Sequence, residues 1–217
     1  MNHNIKIISK ELLNHDVIRF RLERPRGYHF LAGQATELLL EAPEKMGPAP
    51  FTFTGLDRQP ELELTIKIYE ERKGLTARLA KLNPGDEVSI SDPWDSFINK
   101  GPGIFLAGGA GITPFIAMLR QMREDGTLGN SHLYFSNKTR DDIFMHEELK
   151  SILSDRYVDI LTRDNSGQHQ RLDETLLSKH AGTKQPYYVC GPPGFVETIQ
   201  QLLDKMGASQ DYVNISL

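Results

Sequence analysis

A glycine-rich segment near the middle of the chain constrains the fold more than any other feature. The segment, LAGGAGITPF over residues 106–115, follows an apolar stretch and precedes apolar side chains at helical spacing: Phe115, Ile116, Leu119 and Met122. Pro114 suits the first turn of a helix, because its missing N–H costs nothing there. A glycine-rich turn between a strand and a helix directs backbone N–H groups and the positive end of the helix dipole towards one point. The segment therefore predicts a strand–turn–helix unit, which is either an ordinary tight turn or one wall of a phosphate site.

A second strand–turn–helix pattern occurs at residues 187–206. An apolar strand ends at the sequence CGPP over residues 190–193, and a helix with one apolar face follows: Phe195, Ile199, Leu202, Leu203 and Met206. Two such turns at the carboxyl ends of parallel strands form the two sides of one ligand crevice. The pair, in this order, predicts a nucleotide site more strongly than either turn alone.

The two halves of the chain show different hydrophobic periodicities. In the first half, apolar and polar residues alternate, most clearly over residues 62–69, which predicts antiparallel strands covered on one face. In the second half, strand and helix candidates alternate, which predicts a parallel sheet with helices on both faces. We therefore expect a small antiparallel β-barrel domain over residues 1–98 and an α/β domain over residues 99–217, joined by a glycine-rich connector.

The elements of the second half follow from the same patterns. The strand candidates are residues 104–107, 132–136, 158–162, 187–190 and 212–216. The helix candidates are residues 113–124, 142–153, 173–180 and 193–206. Each helix candidate lies between two strand candidates, as the crossover connections of a parallel sheet require.

Composition and charge exclude several classes of protein. Charged residues make up 25% of the chain and hydrophobic residues 39%, and no apolar run approaches the roughly 20 residues that span a bilayer. The first residues lack the apolar core of a signal peptide, so we expect a cytoplasmic protein without a membrane span. The net charge of −4 gives no broad attraction to nucleic acid. The single cysteine excludes an intrachain disulfide and a four-cysteine iron–sulfur cluster, and the histidines lack the spacing of a metal site.

Together, the two turns resemble the nicotinamide-nucleotide half of the ferredoxin–NADP reductase-like superfamily, with its G-x-G-x-x-P and C-G-P-P motifs. The first half is similar to the flavin-binding barrel of the same superfamily at residues 30–34 (the F-x-x-G-Q turn), 50–54 (the R-x-[YF]-[ST] motif) and 72–79 (the phosphate turn). The resemblance covers essentially the whole chain. It implies a six-stranded antiparallel flavin barrel followed by a parallel α/β nucleotide-binding domain.

The resemblance also implies roles for individual residues. Phe51 would pack on the isoalloxazine ring, and the Thr52 hydroxyl would approach flavin N5, although both residue types also suit a plain β-strand. Cys190 would lie beside the nicotinamide and shape its pocket, so Thr52 and Cys190 are the catalytic candidates. Thr76 would cap a helix beside the flavin phosphate. The implied flavin contacts are Pro50, Phe51, Thr52, Phe53, Thr54, Lys67, Ile68, Tyr69, Gly74, Leu75 and Thr76. The implied nucleotide contacts are Gly109, Gly111, Ile112, Thr113, Pro114, Lys138, Arg163, Cys190, Gly191 and Pro192.

The chain departs from the superfamily pattern at Ala49, where an arginine commonly bonds the flavin phosphate. The loss of a bidentate, charge-assisted contact predicts looser flavin binding. We expect FAD, with FMN as the alternative. The cations considered as replacements are Lys45, Arg58 and Lys67.

Cations near the strand ends affect the choice between NADPH and NADH. Lys138 and Arg163 follow the second and third strand candidates, where NADPH-using relatives often hold the 2′-phosphate. Asp141, Asp142 and Asp164 weaken the local positive field. The balance favours NADPH over NADH, and solvated charges at strand ends are the alternative interpretation.

The residues and the resemblance together predict an NAD(P)H-dependent flavoprotein reductase. A hydride would pass from NAD(P)H to the flavin, and single electrons would then pass to flavodoxin or ferredoxin, the acceptors favoured because no iron–sulfur domain is fused to this chain. One alternative is a reductase of free flavin or of a small molecule. Another is a nucleotide-binding regulatory module whose flavin site has decayed, which Ala49 suggests.

Overall fold

Two β-sheets, one in each half of the chain, organise the fold. The computed structural model of the protein describes residues 2–40, 46–163, 170–180, 182 and 184–216. Among these residues, the helices are all too short or too polar to cross a bilayer.

The first sheet is antiparallel and closes into a barrel. Its strands are β1 (Asn2–Leu12), β2 (Val17–Leu22), β3 (Gln34–Leu40), β4 (Met46–Thr52), β5 (Leu62–Lys67), β6 (Glu87–Ser91) and β7 (Trp94–Asp95). Six of them follow the order β4-β3-β6-β1-β2-β5, and the short β7 pairs with β3. A bridge between Phe53 and Leu64 joins the chain after β4 to β5, so the sheet closes on itself. The predicted antiparallel barrel is confirmed. A short helix, α1 (Leu75–Leu79), lies between β5 and β6.

Strand β5 differs from the sequence-based prediction, because both of its faces are covered. Leu62, Leu64 and Ile66 face the barrel core, as their alternation predicts. The alternating residues Glu63 and Thr65 are also buried, at 6% and 4% exposure. The prediction of one covered face is therefore wrong for β5. The reason is tertiary: Arg120, from a helix of the second half, reaches the outer face of this strand and pairs with Glu63.

The second sheet is parallel, as predicted. Its strands are β8 (Ile104–Gly108), β9 (His132–Asn137), β10 (Tyr157–Leu161), β11 (Tyr187–Cys190) and β12 (Val213–Ser216), in the order β10-β9-β8-β11-β12. The connecting helices are α2 (Thr113–Glu124), α3 (His146–Leu153), α4 (Glu174–Leu177) and α5 (Pro193–Lys205). The direction of strand succession reverses between β8 and β11. Ligands bind at such a switch point in open α/β sheets, and both predicted turns begin there.

Two predicted helices are shorter in the structure than in the sequence pattern. Helix α3 begins at His146 because a separate 3₁₀ turn precedes it, and Thr139 and Asp142 close that turn with reciprocal hydrogen bonds. Helix α4 begins after Asp173, whose side chain accepts a hydrogen bond from the backbone N–H of Leu176. Helix α2, by contrast, has the predicted bounds, and Pro114 lies in its first turn.

The buried Tyr188 anchors the connector between the two halves. Its hydroxyl accepts a hydrogen bond from the backbone N–H of Lys100 at 2.8 Å and donates one to the carbonyl of Gly101 at 2.8 Å. Its ring stacks on Phe105 with 4.4 Å between the ring centroids. The Tyr188 hydroxyl therefore holds the connector against strand β11.

We expect Tyr188→Phe to lower the free energy of unfolding by about 1–2 kcal/mol, because two backbone groups lose their partner. Tyr212→Phe is the matched control, since the Tyr212 hydroxyl has no hydrogen-bond partner among the described residues, and its effect should stay within about 0.5 kcal/mol. Denaturant unfolding of both variants measures the difference. Equal stabilities would show that Tyr188 does not hold the connector.

Candidate functional site

The two predicted turns lie side by side at the carboxyl edge of the parallel sheet. Residues Gly109–Ile112 form a 3₁₀ turn directly after β8, and Cys190 is the last residue of β11. A Cβ atom at Gly111 would lie 2.2 Å from the carbonyl oxygen of Cys190, and one at Gly191 would lie 3.1 Å from the Cα atom of Gly108. The backbones of the two turns are therefore in direct contact, and a side chain at Gly111 has no room.

This contact gives a structural reason for glycine at position 111. The space that a side chain would need there is filled by the end of β11. Gly109 is the open position of the turn: it has φ of +53°, and no atom lies within 4 Å of the place its Cβ would occupy. A positive φ with open space in front of the backbone suits glycine and leaves the turn accessible to a ligand. Nucleotide contacts by either glycine stay a prediction.

Thr52 and Thr113 join the flavin motif to the nucleotide turn. Both residues are half-buried, and the Thr52 hydroxyl donates a hydrogen bond to the Thr113 hydroxyl at 2.9 Å. The Thr113 hydroxyl in turn donates to the carbonyl oxygen of Ala110 at 3.1 Å. The end of β4, where the resemblance implies a flavin, thus meets the start of α2, where it implies nucleotide contacts. Phe51, also half-buried, precedes Thr52 at the same edge.

Several side chains assigned to a cofactor by the sequence lie instead in the protein interior. Phe53 is completely buried and stacks on Phe30, with 4.1 Å between ring centroids. The Thr54 hydroxyl is also buried and donates a hydrogen bond to the Glu63 carboxylate at 2.9 Å. Four further assigned side chains are buried in the two cores: Ile68, Leu75, Ile112 and Pro114. These side chains face the protein interior, so their assignment as side-chain contacts of a cofactor is corrected.

The predicted phosphate turn is open, but the predicted cap is wrong. Gly74 occupies the N-cap position of α1, and the nearest atom to the place of its Cβ is 4.0 Å away. Thr76 lies inside the helix, and its hydroxyl accepts a hydrogen bond from the backbone N–H of Tyr69 at 3.2 Å. Its hydroxyl therefore fixes the chain before the turn instead of capping the helix. Tyr69 is exposed, and the Arg72 guanidinium lies 4.6 Å from its ring centroid.

Two of the three cations considered as replacements for the missing arginine are already paired. Arg58 forms a two-point ion pair with Glu124, and the Lys67 ammonium lies 2.6 Å from the Asp16 carboxylate. Lys45 lies outside the described residues. Ala49 packs half-buried against the barrel core. Arg72 is a cation that the sequence analysis overlooked: no carboxylate of the described residues pairs with it, and its position two residues before Gly74 was the available signal.

Lys138 and Arg163 come together at the carboxyl ends of β9 and β10. The backbone N–H of Arg163 donates a hydrogen bond to the carbonyl of Lys138 at 2.7 Å, and both side chains are exposed. One of the opposing acids is engaged locally, because Asp142 accepts hydrogen bonds from the backbone and the hydroxyl of Thr139. Asp164 lies outside the described residues. The two cations are therefore neighbours, which the sequence separation alone does not reveal.

Cys190 is a half-buried free thiol at the end of β11. Burial raises the pKa of Cys190 to about 12, against a small opposing effect of a hydrogen bond from the backbone N–H of Gly191. The thiolate is the reactive form of cysteine, and the raised pKa favours the protonated thiol at neutral pH. This chemistry suits a side chain that shapes an apolar pocket.

One group of side chains with metal-ligand chemistry occurs among the described residues, although the sequence spacing shows none. His15, Asp16 and Asp142 offer ligand atoms within 4.8 Å of one another. The Lys67 ammonium already lies 2.6 Å from the Asp16 carboxylate and supplies positive charge there. The group thus acts as a polar contact between the β1–β2 hairpin and the loop after β9.

Comparisons with known proteins agree with this arrangement. Residues 4–98 match the oxidoreductase FAD-binding domain family, and residues 105–201 match the oxidoreductase NAD-binding domain family. The reductase component of propane 2-monooxygenase from Rhodococcus jostii is 27% identical over 94% of this chain. NADH-cytochrome b5 reductase 2 from Rattus norvegicus is 25% identical, with 96% of this chain and 92% of the rat protein covered. A ferredoxin NADP+ reductase from Neisseria gonorrhoeae, solved with FAD and NADP, superposes with a TM-score of 0.80 at 21% identity over 95% of this chain and 92% of that one.

The fold and the paired domain matches define a two-domain flavin- and nicotinamide-dependent oxidoreductase. The chain belongs to the ferredoxin–NADP reductase-like superfamily, with an oxidoreductase FAD-binding domain followed by an oxidoreductase NAD-binding domain. It spans 60% to 65% of the length of the three propane 2-monooxygenase reductase components that it matches.

We expect Gly111→Ala to lower the free energy of unfolding by about 1–3 kcal/mol, because its new methyl group meets the backbone of β11. Gly194→Ala is the matched control: this glycine lies in α5 with no atom within 4 Å of its Cβ position. Alanine in a helix should leave stability unchanged or raise it by up to about 1 kcal/mol. Thermal or denaturant unfolding compares the two. A stable Gly111→Ala protein would contradict the backbone contact.

Proposed function

We propose that this protein transfers a hydride between NAD(P)H and a bound FAD, and that it passes single electrons to ferredoxin or flavodoxin. The observation that carries the proposal is the hydrogen bond of 2.9 Å between Thr52 and Thr113. It joins the flavin motif at the end of β4 to the nucleotide turn at the switch point of the parallel sheet. Two cofactors bound at these two places meet at the Thr52–Thr113 contact.

The residues at this contact fit a flavin and a nicotinamide. Phe51 would offer an aromatic face, and the Thr52 hydroxyl, which donates its hydrogen to Thr113, would offer its oxygen as a short polar group at the edge of the flavin ring. The open backbone at Gly74 and Gly109 admits the two pyrophosphates. Bound FAD supplies the conversion of a two-electron hydride into single electrons. The chain itself orients the two rings and excludes water, and the protonated Cys190 adds apolar volume on the nicotinamide side.

The choice of acceptor rests on the relatives. The Rhodococcus jostii protein is the reductase component of a monooxygenase, and the rat protein is a cytochrome b5 reductase, so both names describe transfer to another protein. We extend this to a ferredoxin or flavodoxin for the present chain. The single cysteine of these 217 residues supports an iron–sulfur centre on a separate partner or segment.

A reductase of free flavin is the second candidate function. Ala49 cannot donate to a flavin phosphate, and Arg58 and Lys67 are held by carboxylates. Weak retention of the flavin would make it a diffusing substrate instead of a resident cofactor. Both candidate functions include hydride transfer from NAD(P)H to a flavin. They differ in whether the flavin stays bound or leaves the protein.

Anaerobic addition of NADPH or NADH to the FAD-loaded protein should bleach the flavin absorbance. Ferredoxin, flavodoxin, cytochrome b5 and free FMN are then offered as acceptors in turn. Rapid turnover with ferredoxin or flavodoxin, with FAD retained through gel filtration, is the expected result. Flavin that leaves during gel filtration, with turnover only on free flavin, supports the second candidate. A flavin that neither nucleotide reduces contradicts both.

We expect Arg163→Ala to weaken NADPH binding by about ten- to a hundredfold, because charge-assisted hydrogen bonds to a 2′-phosphate are lost. Binding of NADH, which has no phosphate there, should stay within about twofold. Arg21→Ala is the control: Arg21 is an exposed arginine on β2 of the barrel, paired only at 4.0 Å with Glu61. The measurement is the ratio of kcat/KM for NADPH and NADH at one ionic strength. An unchanged ratio would place the Arg163 side chain in solvent and remove the main support for NADPH.

A further inference from the structure

Arg120 forms a second connection between the two halves, one that the sequence analysis did not find. It lies on α2, about two helical turns after Thr113. One arm of its guanidinium donates to the carbonyl oxygen of Thr54 at 2.7 Å and to the Glu63 carboxylate at 2.7 Å. The remaining nitrogens donate to the Glu148 carboxylate at 2.6 and 2.9 Å. A single side chain therefore links the nucleotide helix, the barrel and α3.

Among the partners of Arg120, Glu63 and Thr54 are buried, and Glu148 is partly exposed. Glu63 is almost fully buried and also accepts a hydrogen bond from the Thr54 hydroxyl, while Arg19 lies 3.8 Å away on its other side. Burial alone would raise the pKa of Glu63, but the charge and hydrogen bonds of Arg120, together with Thr54, outweigh burial and lower it. Glu63 is therefore ionised at neutral pH. Removal of one member leaves a buried charge without compensation, so the network holds a fixed arrangement.

The Arg120 contact lies next to the predicted reaction site. Thr54 is two residues beyond Thr52, so β4 and its extension contact α2 twice, once through Thr113 and once through Arg120. One contact permits the two elements to pivot about it. Two contacts at different points along both elements fix their relative rotation as well as their distance.

Hydride transfer is sensitive to this kind of placement, because the reacting atoms must meet at close range with their orbitals aligned. We propose that Arg120 is a positioning residue that holds the end of the flavin-binding strand β4 against the nucleotide-binding helix α2, and thereby sets the alignment of flavin and nicotinamide. This inference rests on the proposed function. Arg120 itself contacts neither ring in this scheme and acts through the backbone at Thr54.

The chain contains a matched control for this proposal. Arg58, in the loop between β4 and β5, pairs with Glu124 in the last turn of the same helix α2. The Arg58–Glu124 ion pair also links the barrel to α2. However, the Arg58 side chain is 65% exposed, and Glu124 lies at the opposite end of the helix from Thr113. Exposed ion pairs contribute little. Loss of Arg58 therefore removes an interdomain ion pair without freeing the strand end at the reaction site.

The test compares Arg120→Met, Arg120→Lys and Arg58→Met in the FAD-loaded protein. Anaerobic single-turnover mixing with NADPH, NADH and their 4-deuterated forms gives the hydride-transfer rate at saturation, the Kd and the isotope effect. We expect Arg120→Met to lower the saturated rate at least about tenfold, with Kd changed by less than about twofold. The charge-transfer absorbance between reduced flavin and NAD(P)+ should weaken in parallel. Arg120→Lys should recover part of both signals, and Arg58→Met should match the parent protein.

A further readout needs no cofactor. Amide hydrogen exchange at residues 52–54 should be faster in Arg120→Met than in the parent protein and unchanged in Arg58→Met. If Arg120→Met does not fold, Arg120→Lys and Glu63→Gln take its place, and a parental rate and charge-transfer band in both would overturn the proposal. A parental rate in a folded Arg120→Met, or an equal loss in Arg58→Met, would overturn it too. A parent protein that NAD(P)H cannot reduce refutes the proposed function instead, which keeps the two failures distinct.

Discussion

The contact between the backbones of two turns, at Gly111 and Cys190, is the constraint on which the nucleotide half depends. Because the missing side chain of Gly111 admits the carbonyl of Cys190, β8 and β11 end at the same level and present their turns to the same side. The start of α2 is fixed by that arrangement. Thr113 then lies within hydrogen-bond distance of Thr52, and the barrel docks against an already defined edge of the sheet.

The outer surface of the barrel differs from an ordinary solvent-exposed sheet face where it meets the second half. An antiparallel sheet ordinarily exposes one face, but on β5 both Glu63 and Thr65 of the outer face are buried. A carboxylate in this position requires a cation, and Arg120 provides it from the opposite half. The interface between the halves is thus polar where it passes the predicted flavin site. It becomes apolar at Val17 and Phe97, which join the core of the second half.

The ion pairs around the barrel determine which cations are left to contact a flavin phosphate. Ala49 stands where the resemblance to the superfamily implies a phosphate-binding arginine, and the cations at positions 58 and 67 have carboxylate partners. Arg72 remains beside the open turn at Gly74, stacked on Tyr69. Guanidinium groups stack on aromatic rings and keep their donors free for an anion, so the local chemistry retains a cation even though the usual position has lost it.

The sequence by itself determined the elements and their classes, because hydrophobic period and turn composition are local properties. Helix α2, strand β11 and the antiparallel character of the first sheet follow from them, whereas Gly109, Thr52 and Cys190 are site candidates through the resemblance to the superfamily. Only the tertiary structure decided which side chains face a ligand and which face a core, as Phe53 and Thr54 illustrate. It also decided the partners of Arg120, because residues 54, 63, 120 and 148 lie on separate elements and share no local pattern. Contacts between distant segments depend on how complete elements pack, and hydrophobic periodicity does not encode that packing.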